Sequence, residues 1–118
     1  MLNNLGYQLI ERNKSLDEAL QMIQRAVNAE PQNSNYLDSL GWAYFKLGKF
    51  DEAERYLTEA ARLNQKSATM QEHLGDLYVR QSKMKSARAA WQKALSLSED
   101  ESDQKTRIRT KLNGLAKD

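Results

Sequence analysis

Cysteine is absent from the 118 residues, and proline and histidine occur once each. Without cysteine there is no disulfide framework and no thiolate-held metal centre. The lone histidine, His73, leaves an imidazole metal site without its usual partners. Five glycines and one proline supply few breakers to a chain rich in Ala, Leu, Glu, Lys, Arg and Gln, which favours helix throughout. No apolar run approaches the ~20 residues that a membrane span needs, so membrane insertion is not expected. The opening MLNNLGYQL has neither a basic start nor a cleavage site of the secretory kind. A formal net charge of +2 is too small to argue for nucleic acid.

What remains is an ordinary composition for a folded domain, 40% apolar and 29% charged. The basic excess is local: residues 68–98 hold Arg80, Lys83, Lys85, Arg88 and Lys93 against only Glu72 and Asp76. Such a patch is able to recruit an acidic partner or RNA, and it reads here as a solvated face. No serine stands with His73 and a carboxylate in a nucleophile elbow, and no glycine-rich phosphate loop is present. The acidic pairs Asp17-Glu18 and Asp51-Glu52 start helices, where carboxylates serve the helix dipole. The chain reads as non-catalytic, with no cofactor and no metal.

The chain repeats itself. Ala19, Ala53 and Ala87 are 34 residues apart, as are Ala26, Ala60 and Ala94. Gly41 pairs with Gly75 and Tyr44 with Tyr78 at the same interval. Leu16, Phe50 and Met84 form another column, and Ile23, Leu57 and Trp91 a further one. Gly6 lies 35 residues before Gly41, an insertion that a turn absorbs. Within one unit, Leu37, Leu40, Tyr44 and Leu47 make one helical stripe. A breaker, LGK, follows; then Asp51 is a plausible N-cap for a second helix that turns Ala53, Tyr56, Leu57, Ala60 and Leu63 inward. A glycine inside a helix costs about 1 kcal/mol relative to alanine. One that recurs at a fixed interval implies a close approach between helices.

Leu40, Gly41, Tyr44, Ala53, Leu57 and Ala60, and again Leu74, Gly75, Tyr78, Ala87, Trp91 and Ala94, resemble the signature of the tetratricopeptide repeat (TPR). The first unit matches through Leu5, Gly6, Ala19, Ile23, Ala26 and Pro31, with Leu9 near the tyrosine column. The later units have Gln65 and Glu99 where the closing proline would stand. The phrases NNLGYQL and YLDSLGW are similar to repeats in large bacterial members. The resemblance implies an all-α, right-handed TPR solenoid: repeats at 1–33, 34–67 and 68–101, then a capping helix at 102–118. In that last segment Ser102 is placed to cap the helix, Ile108, Leu112 and Leu115 to pack, and Asn113-Gly114 to stop or fray it.

Met1 falls inside the first helix of a unit, with Leu2, Leu5 and Leu9 turned towards an earlier helix. The expectation is therefore a piece of a longer solenoid, whose compartment, cytoplasm or periplasm, stays open. That apolar edge would join upstream repeats or other copies, a structural self-association module.

In the family, first helices line a concave side that holds peptides or partner helices. On those helices Asp38, Trp42 and Phe45 fall on a face distinct from the Leu37–Leu40–Tyr44 stripe, and the columns continue through Tyr7 and Ile10 and through Glu72, Asp76 and Val79. The implied site is a groove of Tyr7, Ile10, Trp42, Phe45 and Val79 beside Asp38, Glu72, His73 and Asp76, with Trp42 as anchor. Its ligand would be a protein or peptide with basic and apolar groups. Members that grip the acidic C-termini of chaperones need Lys, Asn, Asn, Lys and Arg at set points. Here those points hold Asn3, Tyr7, Ser39, Thr69 and His73 in one frame, and Asp38, Trp42, His73, Asp103 and Arg107 in the next. Neither is the required set.

Overall fold

In the computed structural model, residues 16–115 are described; they form six helices and no strand. Two compact units divide after Asn64. The first contains α1 (Leu16–Ala29), α2 (Ser34–Lys46) and α3 (Phe50–Leu63). The second contains α4 (Ala68–Arg80), α5 (Met84–Leu97) and α6 (Asp103–Leu115). The Leu16, Phe50 and Met84 column turns out to be the first residue of α1, α3 and α5. The 34-residue repeat of the sequence is thus a helical hairpin, α2–α3 in one unit and α4–α5 in the other.

The recurring glycines are where the hairpin helices touch. A Cβ on Gly41 would lie 2.6 Å from Leu57 Cγ and 2.9 Å from the Leu57 backbone nitrogen. A Cβ on Gly75 would fall inside the indole of Trp91. Leu57 and Trp91 are themselves one column, so each glycine is a socket for the second helix of its own hairpin. The alanine columns complete the seam: Ala19, Ala53, Ala60, Ala87 and Ala94 are all fully buried. Small residues on both sides let the backbones approach at the density of a protein interior.

Side-chain caps open the first helix of each hairpin. Asn33 Oδ1 accepts from the Tyr36 backbone N–H at 3.1 Å, and Ser67 Oγ accepts from that of Met70 at 3.2 Å. Ser102 caps α6 as expected, accepting from the Lys105 N–H at 3.0 Å. The second helices start differently, and here the expectation for Asp51 is corrected. The residue before α3 is Lys49, with no side-chain cap, and Asp51 sits inside the first turn with Glu52. The tight turn leaves no room for a separate cap: Lys49 N–H donates to Tyr44 C=O at 2.9 Å, and Gly48 N–H to Phe45 C=O at 3.0 Å. These two bonds make a Schellman closure, with Gly48 at φ 79°.

The same closure recurs one repeat later with a residue less suited to it. Lys83 N–H donates to Tyr78 C=O at 2.8 Å and Ser82 N–H to Val79 C=O at 3.0 Å, with Ser82 at φ 61°. An L side chain in the left-handed region costs about 1–2 kcal/mol, partly offset because glycine is freer in the unfolded chain. Ser82→Gly is expected to stabilise the second unit by about 0.5 kcal/mol, read as a raised midpoint in urea with an unchanged slope.

Asn113-Gly114 does not end α6, which runs on to Leu115. Leu115 is buried, and its carbonyl accepts from Arg88 Nη2 at 3.2 Å, so tertiary contacts hold the last turn. Among the described residues no helix is long and apolar enough to cross a membrane.

Candidate functional site

Tyr7 and Ile10, and the apolar edge Leu2, Leu5 and Leu9, lie outside the described residues. The other groove residues divide between the units: Asp38, Trp42 and Phe45 on α2, and Glu72, His73, Asp76 and Val79 on α4. Both helices bury more than an apolar stripe. On α2 the unbroken run from Leu37 to Ala43 is buried, including Asp38 and Ser39; on α4 the run from Met70 to Gly75 is, including Gln71, Glu72 and His73. Polar burial of this kind is the informative exception on a helix, because packing a hairpin needs only its apolar seam.

On α2 the aromatic pair is real. Trp42 and Phe45 stack with ring centroids 4.7 Å apart and an 18° interplanar angle. Phe45 also meets Phe50 of α3 at 5.8 Å, and the Lys46 ammonium sits 5.4 Å from the Trp42 ring. Trp42 is only 8% exposed, whereas Phe45 stays half-buried. Of the two rings, Phe45 is the more exposed.

On α4 the acids do not stand open. The Glu72 carboxylate is nearly inaccessible, 5% exposed, and accepts from Arg107 Nε at 2.6 Å, Arg107 Nη2 at 2.8 Å and Lys111 Nζ at 2.8 Å. Gln104 Nε2 adds a bond at 3.3 Å and reaches Thr69 Oγ1 at 3.1 Å. Lys111 Nζ also bridges to both oxygens of Asp76, at 2.9 and 3.1 Å, and lies 5.7 Å from the Trp91 ring. Burial by itself pushes the Glu72 carboxyl up, but the hydrogen bonds from Arg107 and Lys111 outweigh it and hold it at about 2. Burial likewise opposes the charge on Lys111, and its bonds to Glu72 and Asp76 more than restore it, so the ammonium is held above its ordinary range.

This changes the electrostatic expectation for the second unit. The two acids meant for a basic ligand are met by two cations of α6. Gln104, Arg107 and Lys111 were not among the groove residues, yet they were visible in outline. Arg107 follows Glu72, and Lys111 follows Asp76, by 35 residues, one more than the repeat.

Sequence profiles of the tetratricopeptide repeat match residues 39–103 and residues 1–66. The chain belongs to the TPR family. A TPR repeat-containing protein of Pseudomonas aeruginosa is 42% identical over 59 residues, half of this chain and 10% of that protein. The matched half of the TPR chain thus spans about a tenth of that curated relative. Among solved structures, the Yersinia enterocolitica type III secretion translocator chaperone SycD superposes with a TM-score of 0.88 at 16% identity, over 98% of this chain and 81% of SycD. The first TPR domain of RPAP3, bound to the HSP90 peptide SRMEEVD, gives 0.84 at 22% identity, over 98% and 88%. At such identities the likeness shows the fold, an all-α TPR array. Among the described residues no group of three or more His, Cys, Asp or Glu is gathered as a metal would require.

Proposed function

We propose that this TPR chain is a non-catalytic interaction module that holds a segment of a partner polypeptide, peptide or helix, against the first-helix faces of its units. One observation carries the reading. Helix α2, the first of its hairpin, carries an aromatic pair whose outer ring, Phe45, is half-buried and so reachable from solvent. The pair is a stacked indole–phenyl plate. Amphipathic aromatic plates of this kind are common anchors for partner side chains.

The solved relatives support the same use of the fold, since SycD has been seen with a peptide of the translocator YopD and the RPAP3 domain with its HSP90 peptide. The acidic character of the HSP90 peptide is not carried over, because the positions that would grip it hold Asp38, Trp42, His73, Asp103 and Arg107. The apolar half of the expected ligand fits the α2 face.

The test is a selection of displayed peptides on the whole chain. Peptides so obtained should bind Phe45→Asp at least about tenfold more weakly, roughly 1.4 kcal/mol, with helix content by circular dichroism unchanged. Equal affinity for both forms would move the contact off α2.

A further inference from the structure

We propose that Glu72 and Asp76 form a recognition site for a helix that carries two cations four residues apart. In this proposal α6 fills that site in cis, so a partner helix of the same chemistry binds by displacing α6. The inference rests on the interaction-module reading and names the partner for one of its two faces.

The geometry supplies the code. Glu72 and Asp76 are one turn apart on α4, so both carboxylates lie on one face. Arg107 and Lys111 are one turn apart on α6 and answer them: Arg107 clamps Glu72 through two nitrogens, and Lys111 bridges Glu72 and Asp76. A guanidinium fork on a buried carboxylate gives orientation as well as attraction, which is how one helix is told from another. Replacing either cation by a neutral group would leave Glu72 buried and short of donors.

The occupant is held in a way that permits exchange. Only Ile108 and Leu115 of α6 are buried, with Leu112 partly covered. By contrast α4 buries seven residues and α5 four, including Trp91. The grip on α6 combines a small apolar contact, Ile108 and Leu115 against Ala87, Trp91 and Ala94, with the ion pairs to Glu72 and Asp76, and half of the Arg107 side chain, 52%, faces water. The water-facing share of these ion pairs is weakened by solvent and salt. A helix with the same cation pair and a fuller apolar stripe would compete on better terms, whereas one without the pair would leave Glu72 unmatched.

The experiment uses the whole chain and two synthetic peptides. One is SDQKTRIRTKLNGL, residues 102–115; the other carries Gln in place of Arg107 and Lys111. Labelled with a fluorophore, the first should bind at least about tenfold more tightly than the second. Bound at saturation, it should speed amide exchange across 103–115 of the chain about tenfold, while exchange in α4 and α5 is unchanged. In the chain variant Arg107→Gln/Lys111→Gln the first peptide should bind about tenfold more tightly still, because the cis competitor is weakened. Glu72→Gln in the chain should erase the preference between peptides. Equal binding of the two peptides, or binding without faster α6 exchange, overturns the proposal. Displayed peptides that still require Phe45 would then leave the interaction-module reading in place; loss of both results would remove it.

Discussion

Gly75→Ala should lower the thermal midpoint of the second unit by about 10 °C, a larger effect than a single methyl group on a helix normally has. In an exposed helix the change would stabilise by about 1 kcal/mol. Here the added Cβ falls inside the Trp91 ring, which is 6% exposed and cannot bend away as an aliphatic chain end can. If the indole shifts, Nε1–H leaves the Glu72 carbonyl it now meets at 3.2 Å, inside the protein. Overpacking of a core typically costs about 1–3 kcal/mol, and a buried hydrogen bond left unmade a further ~1–3 kcal/mol. After subtracting the helix gain, the net loss is about 1–5 kcal/mol, centred on roughly 3 kcal/mol. For a domain near 100 residues, 1 kcal/mol corresponds to about 4 °C or somewhat more. Circular dichroism melts measure the shift, and amide exchange in α4 and α5 assigns it to this hairpin. Glycine at 114, with open space around it, carries no such constraint. An unchanged midpoint in Gly75→Ala would mean that the repeat's glycine is not a packing socket.

That a recurring glycine marks a close approach between helices could be drawn from the letters alone, while the side chain that fills the gap is supplied by the structure. Columns 34 residues apart mark contacts made inside every hairpin, and the structure resolves two of them as Gly41 with Leu57 and Gly75 with Trp91. Caps at Asn33 and Ser67 are readable for the same reason. Turns are less so, because two different residues can close the same backbone: Gly48 does it freely, while Ser82 does it in the left-handed region. The misplacement of Asp51 has that origin, since the Schellman bonds start α3 at once. The α4–α6 network was legible only in outline, for another reason. It depends on one segment that breaks the register, and periodicity says nothing about a partner that occurs once. Trp42 shows a third limit: its column says nothing of how far it is buried, and in the structure it is 8% exposed while its stacking partner Phe45 is half-buried.

The single buried carboxylate of that network should make α6 the acid-sensitive element of the second unit. Glu72 has its folded-state pKa depressed from an ordinary 4.5 to about 2. A depressed acid contributes stability that is fully present above about 4.5 and is lost as pH falls through 2, because protonation then proceeds more readily in the unfolded chain. A shift of that size corresponds to roughly 3 kcal/mol at neutral pH. Screening at the half-exposed Arg107 lowers the useful figure to about 2 kcal/mol. At pH 7, Glu72→Gln is therefore expected to be about 2 kcal/mol less stable than the natural chain, with the loss concentrated in α6. The gap should narrow below pH 4.5 and nearly vanish close to pH 2. Urea unfolding of both forms across that range measures it, and the difference between the two profiles isolates Glu72, since the remaining carboxylates titrate in both. Salt sharpens the assignment. The exposed share of the ion pairs weakens at 1 M salt, where the screening length is about 3 Å, while the buried bonds to Glu72 persist. A gap that stays constant from pH 7 to pH 2 would show that Glu72 stabilises by packing, and that its charge is not what holds α6 on α4.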